Sequence, residues 1–359
     1  MNTPLIFNNI LQKCSAYCRY NNANSCILAG DSLSIIKEIP SNSIALILTD
    51  PPYHSTKKKN IYGDTFFRED QAYLEWIKAY SAEWKRILKP NGSVFCFCSS
   101  AMASKLESVF SADFNILSQI VWTKPNAPGF DGWKQKMKKE SLRQWYAHTE
   151  RIIFMEPAVA GNLNRSYFGD FLRKARLQLN MSTYTLTELT GAYGTVNHGG
   201  AVSNWEAGRN IPSKEQYQKI CRAFYQNGRL EKMPDYEDII RPFNVTKNAE
   251  FTDIWTFENV RPYKGKHPAE KPVALLEHAI RSTTYEGDIV LDCFAGSGST
   301  AVAALKNNRR SVSIEIDAQW VSQIEQILKQ LVHAAPDQYP DNYHTALLDI
   351  EHNEIKKAN

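Results

Sequence analysis

Short apolar runs that close on turn or acidic residues alternate along this chain with amphipathic stretches of helical period. Ser43-Ile44-Ala45-Leu46-Ile47-Leu48 closes on Thr49-Asp50, the pattern of a strand buried on both faces. Tyr73 to Leu88 has helical spacing and is predicted to end at Lys89-Pro90-Asn91-Gly92, a strong stop signal. Ser93 to Cys98, Leu117 to Trp122 and Arg151 to Met155 are further predicted strands. Late in the chain, Asp288-Ile289-Val290-Leu291-Asp292 leads into a glycine-rich loop, a helix from about Thr300 and a strand from Ser311 to Ile316. Alternation of this kind predicts an α/β fold with a doubly wound, mostly parallel sheet.

Near Gly161 the period changes. Phe168, Phe171, Leu172, Ala175 and Leu179 fall at helical spacing, and Leu186 with Leu189 marks a second short helix. Ala201-Val202-Ser203-Asn204-Trp205-Glu206-Ala207-Gly208 and a run through Phe224 follow. The expected organisation is a first α/β half at 1–162, a small all-α insert at 163–245, a second α/β half at 246–335 and a polar, loosely held tail at 336–359.

Composition narrows the class of molecule. Of 359 residues, 43% are hydrophobic, enough for a substantial core, and 42 basic against 38 acidic residues leave a net charge of only +4. A polyanion would therefore be met by local patches. Seven cysteines, an odd number scattered through core-like strands, read as reduced thiols, and the spacing of Cys14, Cys18 and Cys26 fits no zinc pattern. No metal is expected. The chain shows no signal-peptide pattern and no run approaching the ~20 apolar residues of a membrane span, so the expected location is cytoplasmic, with no membrane partner.

Two strings carry the chemistry. After its strand, Phe294-Ala295-Gly296-Ser297-Gly298 lets backbone N–H groups approach a ligand that a Cβ would exclude, and the helix behind it favours a carboxylate. One strand later Glu315 stands at a strand end, where an acid can accept from ribose hydroxyls. Asp50-Pro51-Pro52-Tyr53 is stiff, because consecutive prolines fix φ and hold the preceding residue extended. An aryl amine is a poor nucleophile. Hydrogen bonds to the Asp50 carboxylate and the Pro51 carbonyl would favour a pyramidal nitrogen, while Tyr53 stacks on the base. The plainer alternatives are a tight strand-to-helix turn for the first string and a rigid turn with a buried Tyr for the second.

Together these strings resemble the amino-methyltransferases that modify exocyclic nitrogens of DNA bases with S-adenosylmethionine. The catalytic string lies N-terminal to the cofactor string, which is similar to the circularly permuted β class. Leu28-Ala29-Gly30-Asp31, Val121-Trp122-Thr123-Lys124 and His267-Pro268-Ala269-Glu270-Lys271-Pro272 agree in position. The resemblance implies a catalytic set of Asp50, Pro51, Pro52 and Tyr53. It also implies a cofactor set of Asp31 on adenine, Glu315 on ribose and Phe294 to Gly298 on the methionine part, with Lys271, Asp292 and Thr300 bordering the pocket. Asp31 equally fits a helix N-cap. Cys293 departs from the family, where proline is common.

The insert resembles lambda-repressor-like helix-turn-helix modules through Phe171 to Arg176 and Val202 to Ser213, and a purely structural helical insert is the other reading. In such modules the second helix enters the major groove, here at about Asn197 to Asn204. Asn197, His198, Ser203, Asn204 and Arg209 are the implied DNA-binding residues, with Lys134 and Lys138 of a basic, aromatic stretch as backbone contacts. The combined expectation is adenine-N6 methylation of double-stranded DNA after base flipping, with a homodimer and a cognate restriction endonuclease as candidate partners. Cytosine-N4 methylation and a DNA-binding regulator with an idle transferase domain are the alternatives.

Overall fold

The computed structural model describes residues 3–54, 67, 69–125, 140, 143, 145, 148–159, 166–193, 200–229, 231–245 and 251–331. Its centre is a nine-stranded sheet built from β1 (Cys18–Asn21), β2 (Ser25–Ala29), β3 (Ile44–Thr49), β4 (Leu88–Cys98), β5 (Phe114–Thr123), β6 (Thr149–Pro157), β7 (Ile254–Thr256), β8 (Ile289–Asp292) and β9 (Arg310–Glu315). The strand order is β1-β2-β9-β8-β3-β4-β6-β5-β7. The inner run from β2 to β4 is parallel throughout, as the apolar runs predict. Antiparallel pairs flank it, where β6 joins β4 and β5, and where β1 meets β2.

Every residue of β3 and β8 is buried, so these strands have no solvent face and need cover on both sides. One side is covered by α1 (Thr3–Lys13), α2 (Ser32–Glu38), α3 (Asp70–Ile87) and α4 (Ala103–Phe110), which supply Ile10, Ile35, Trp84 and Phe110 to one core cluster. Leu276, Val302 and Ile324 of three later helices, Val273–Thr283, Ser299–Lys306 and Ala318–Leu331, fill a second cluster on the other face. The Lys89-Pro90-Asn91-Gly92 stop does end the helix, at Ile87, but the strand starts at once. Leu88 already pairs with Ile44 while Ser93 pairs with Leu46, so the four stop residues are absorbed as a bulge inside β4.

Five further helices, α5 (Tyr167–Gln178), α6 (Thr183–Thr190), α7 (Ala201–Glu206), α8 (Lys214–Gln226) and α9 (Tyr236–Ile239), form the insert around a third cluster that includes Phe168, Leu172, Leu186, Trp205 and Phe224. Leu189 is 49% exposed and plays no part in that core. Buried Arg176 donates through Nε and Nη2 to the two carboxylate oxygens of Glu206 at 2.6 and 3.1 Å, which locks α5 to α7. A Cβ at Gly200 would lie 2.0 Å from Thr187 Oγ1, so glycine is what lets the start of α7 approach α6 this closely. α7 begins at Ala201, which places Ser203 and Asn204 in its first turns; Asn197 and His198, at the expected head of this helix, lie outside the described residues.

The insert is rooted at the rim where the parallel strands begin. Asn91 donates to the carbonyls of Glu237 and Ile240, and Arg241 pairs with Glu156 at 3.4 Å. The glycine loop and Asp50 lie at the opposite rim, after β8 and β3. The 336–359 tail falls outside the described residues.

Candidate active site

Where the parallel strands end, the chain leaves a cavity of about 370 Å³ lined by Gly30, Asp31, Asp50 to Tyr53, His267, Lys271, Asp292 to Ser297, Thr300 and Glu315. The structure thus brings both sequence strings, together with all but one of the expected cofactor residues, to one cleft; Gly298 caps the helix behind it. Strand order is the cause. β3 and β8 are neighbours, so residues separated by more than 240 positions in the chain emerge side by side, and Thr49 donates to Asp292 at 2.9 Å.

The glycine loop is held from within. Gly296 sits at φ +50°, and a Cβ there would lie 3.0 Å from the His267 ring. Gly298, at φ +80°, would press a Cβ to 3.0 Å from Ile324. Asp292 accepts from Thr49 Oγ1 at 2.9 Å, Thr300 Oγ1 at 2.6 Å and the Phe294 N–H at 3.1 Å. Burial lifts its carboxyl to about 6 despite these donors. Glu315 is similarly engaged, with Oε2 accepting from the Gly296 N–H at 2.7 Å and Oε1 from the N–H groups of Ile316 and Asp317, both at 2.8 Å. Asp292, Thr300 and Glu315 therefore shape the loop whatever else they hold. Asp31 is the N-cap of α2, accepting from Ser34 N–H at 2.9 Å through Oδ2, and it also lines the cavity.

Around Asp50 lies a chain of charges. Lys271 Nζ hydrogen-bonds Asp50 Oδ2 and stands 3.5 Å from Glu150 Oε2. Glu150 Oε1 takes Lys124, and Oε2 accepts the Tyr53 hydroxyl at 3.0 Å. Burial favours the neutral carboxyl at Glu150, but the charges of Lys271 and Lys124 overcome it and hold the group down to about 2. Burial raises Asp50, partly offset by Lys271. Among the described residues, Asp50 Oδ1 is buried with no hydrogen-bond partner. A buried acceptor left open beside a cavity can take a donor from a bound ligand. The Lys271 ammonium also lies 5.4 Å from the Tyr53 ring centroid and 5.1 Å from that of Phe97, so the cation is packed between rings as well as between acids.

Several contributors escape the sequence reading. Phe67, Trp76 and Tyr80 line the cavity, and Trp76 and Tyr80 pack on Phe294 at 5.7 and 5.3 Å. Trp320 meets the His267 ring edge-on at 4.5 Å. Helix period alone marks such aromatics as core. Glu150 stands at the head of β6, where nothing local distinguishes it from a solvated acid. Lys134 and Lys138 lie outside the described residues. Ser203, Asn204 and Arg209 are carried by the insert and line no part of the cavity.

Residues 44–326 match the family described as DNA methylase, which covers N6 and N4 amino-methyltransferases. The chain belongs to this DNA methylase family. Among similar proteins, the Escherichia coli DNA adenine methyltransferase YhdJ is 27% identical over 306 residues, covering 84% of this chain and 82% of that protein. The Bacillus subtilis type II methyltransferase M.BglII is 25% identical over 326 residues, covering 87% of this chain and 70% of that protein. The solved PvuII DNA methyltransferase (cytosine-N4-specific) shares the fold at a TM-score of 0.50 and 17% identity, over 91% of this chain and 94% of that one.

The chain is thus a DNA methyltransferase whose cofactor is S-adenosylmethionine. The cleft fits that group. Its volume lies in the range of small-molecule sites, its glycine cradle leaves no room for a Cβ at 296, and aromatic rings line it beside the loop.

Proposed function

We propose that this methyltransferase acts on the exocyclic N6 of adenine in duplex DNA, at a specific sequence, with the target base turned out of the stack into the cleft. The observation that carries this reading is Asp50 Oδ1, left unpaired among the described residues in the same cavity that the glycine loop lines. One amino N–H would donate to this oxygen and the other to the Pro51 carbonyl. Bound there, the amine has its lone pair freed from the ring. S-adenosylmethionine supplies an electrophilic methyl group when bound. As the nitrogen–methyl bond formed, the donor's carbon–sulfur bond would break and release a neutral thioether; the Asp50 carboxylate would stabilise the positive charge building on the amine until one amino proton passed to water. Tyr53 offers a ring face whose orientation is fixed by its hydroxyl bond to Glu150.

Asp at the head of the Pro-Pro-Tyr string, together with the adenine-specific relative from E. coli, favours adenine. Cytosine-N4 is the second reading, favoured by the fold shared with the PvuII enzyme. The insert serves as a duplex-binding helix-turn-helix module, in which Ser203, Asn204 and Arg209 face solvent or lie half-buried on α7 and just after it. A second copy on a palindromic site and a cognate restriction endonuclease are the partners this function would take.

DNA from cells expressing the chain, sequenced by a method that separates N6-methyladenine from N4-methylcytosine, tests both base and site. We expect methylated adenine at one sequence. Asp50→Ala should lower modification by about 100-fold or more, the scale for losing an electrostatic group at the reacting centre. Near-normal methylation in that variant would remove Asp50 from the reaction.

A further inference from the structure

We propose that Glu150 is a positioning residue for the methyl transfer, drawing the Tyr53 hydroxyl proton and part of the Lys271 charge away from Asp50 so that Asp50 Oδ1 stays open for the incoming amine. The inference rests on the amino-transfer reading above and deepens it.

The groups around Asp50 engage one another, with Lys271 between the two acids and Glu150 between Lys124 and Tyr53. Lys271 occupies Asp50 Oδ2. The Tyr53 hydroxyl could serve either acid, because Asp50 also lies close enough for a hydrogen bond with it to bear on the charge of both groups. In the structure it donates to Glu150 at 3.0 Å. Lys124 engages the other Glu150 oxygen, so the carboxylate cannot swing away from Tyr53 without breaking an ion pair that is mostly shielded from water. Among the described residues, Oδ1 of Asp50 is what remains unpaired. Without Glu150, the hydroxyl has Asp50 as its remaining acid, and the oxygen meant for substrate fills from within. A self-satisfied acceptor offers a substrate N–H nothing.

The charges point the same way. Asp50 faces Lys271, Glu150 and Tyr53, with Asp292, Cys96 and Cys98 further off. Glu150 raises the Asp50 carboxyl and shares the Lys271 ammonium with it. Removing that negative charge leaves Lys271 to Asp50 alone. The Asp50 carboxyl would then titrate lower, and its carboxylate would be a weaker acceptor.

Glu150→Gln in the full chain tests this. Single-turnover methylation should slow about ten- to a hundred-fold, the scale for compromising one buried hydrogen-bonding group. S-adenosylmethionine affinity by calorimetry should stay within about two-fold, since Glu150 is not among the described residues that line the cavity. The acid limb of the rate profile should move to lower pH. Adding Tyr53→Phe to Glu150→Gln removes the competing hydroxyl and should recover several-fold of the lost rate. Glu150→Asp keeps the charge but withdraws it from Tyr53. It should slow transfer without moving the acid limb, and it reads the same contact if the Gln variant does not fold.

An unchanged rate in Glu150→Gln, a parallel loss of cofactor affinity, or no recovery in the double variant would overturn the proposal. The amino-transfer reading fails separately, if wild-type protein methylates no DNA amine in the same assay.

Discussion

His267 shows how one side chain ties cofactor loop to stability. Burial lowers its imidazole to about 4, with the charges of Lys271 and Lys266 adding to the effect. It is therefore neutral at pH 7, accepting the Ala269 N–H through Nδ1 at 3.2 Å while its ring supports Gly296. The unfolded chain binds this proton near the ordinary value of ~6.5, so between that pH and about 4 the unfolded state holds more protons. Stability contributed by the neutral ring is complete above that range and is lost as pH falls through it. From pH 7 to pH 5 the loss amounts to about 2 kcal/mol. Urea unfolding of wild type and His267→Gln at both pH values should show a pH-dependent drop smaller by this amount in the variant. An equal drop in both would mean that the ring is not held neutral. Such a role was not legible beforehand. The resemblance marks the string from His267 to Pro272, but the packing of the His267 ring on Trp320 depends on a helix more than 50 residues further along.

At the level of elements, legibility followed the local strength of each signal. β3 and β8 are short apolar runs closing on functional loops, and both were readable because burial on two faces leaves no polar position to confuse the period. The boundary at Ile87/Leu88 was half readable. Helix-stop residues predict an end, but whether a loop or a bulged strand follows is decided by the pairing of Leu88 with Ile44, a contact across sequence. α1 and β1 carried no signal beyond weak amphipathy. In the insert, Trp205 and Leu172 were recognisable core residues, whereas the Arg176–Glu206 pair was not, because a charged pair in a basic segment reads as surface. Its burial makes the test sharp. Arg176→Ala would leave Glu206 uncompensated between α5 and α7 and destabilise the insert by about 3–5 kcal/mol. DNA retention in a salt titration should collapse in this variant while S-adenosylmethionine binding persists. Loss of cofactor binding in step with DNA binding would instead make the insert part of the cleft's support.

The molecule as a whole distributes three apolar clusters over two kinds of architecture. Two of them sandwich the sheet and share its strands, so they gain and lose order together; the third is confined to the insert. Among the described residues the links between the units are largely polar, such as Asn91 to Ile240, Tyr285 to Ile240 and Arg241 to Glu156. Interfaces of that kind transmit little free energy, and two unfolding transitions are the expected result. The cofactor cleft belongs wholly to the sheet unit, since no described insert residue lines it. S-adenosylmethionine at 100 times its dissociation constant stabilises the state that binds it by about 2.7 kcal/mol, so it acts on one transition and not the other. Calorimetric scans should show the sheet transition rising by several degrees with cofactor, and by as much in Asp50→Ala, whose substitution leaves the glycine loop intact. The insert's transition should respond to duplex DNA instead. Were both transitions to climb together on addition of cofactor alone, the insert and the sheet would have to unfold as one cooperative body, and the contacts between them would be carrying far more energy than their polar character provides.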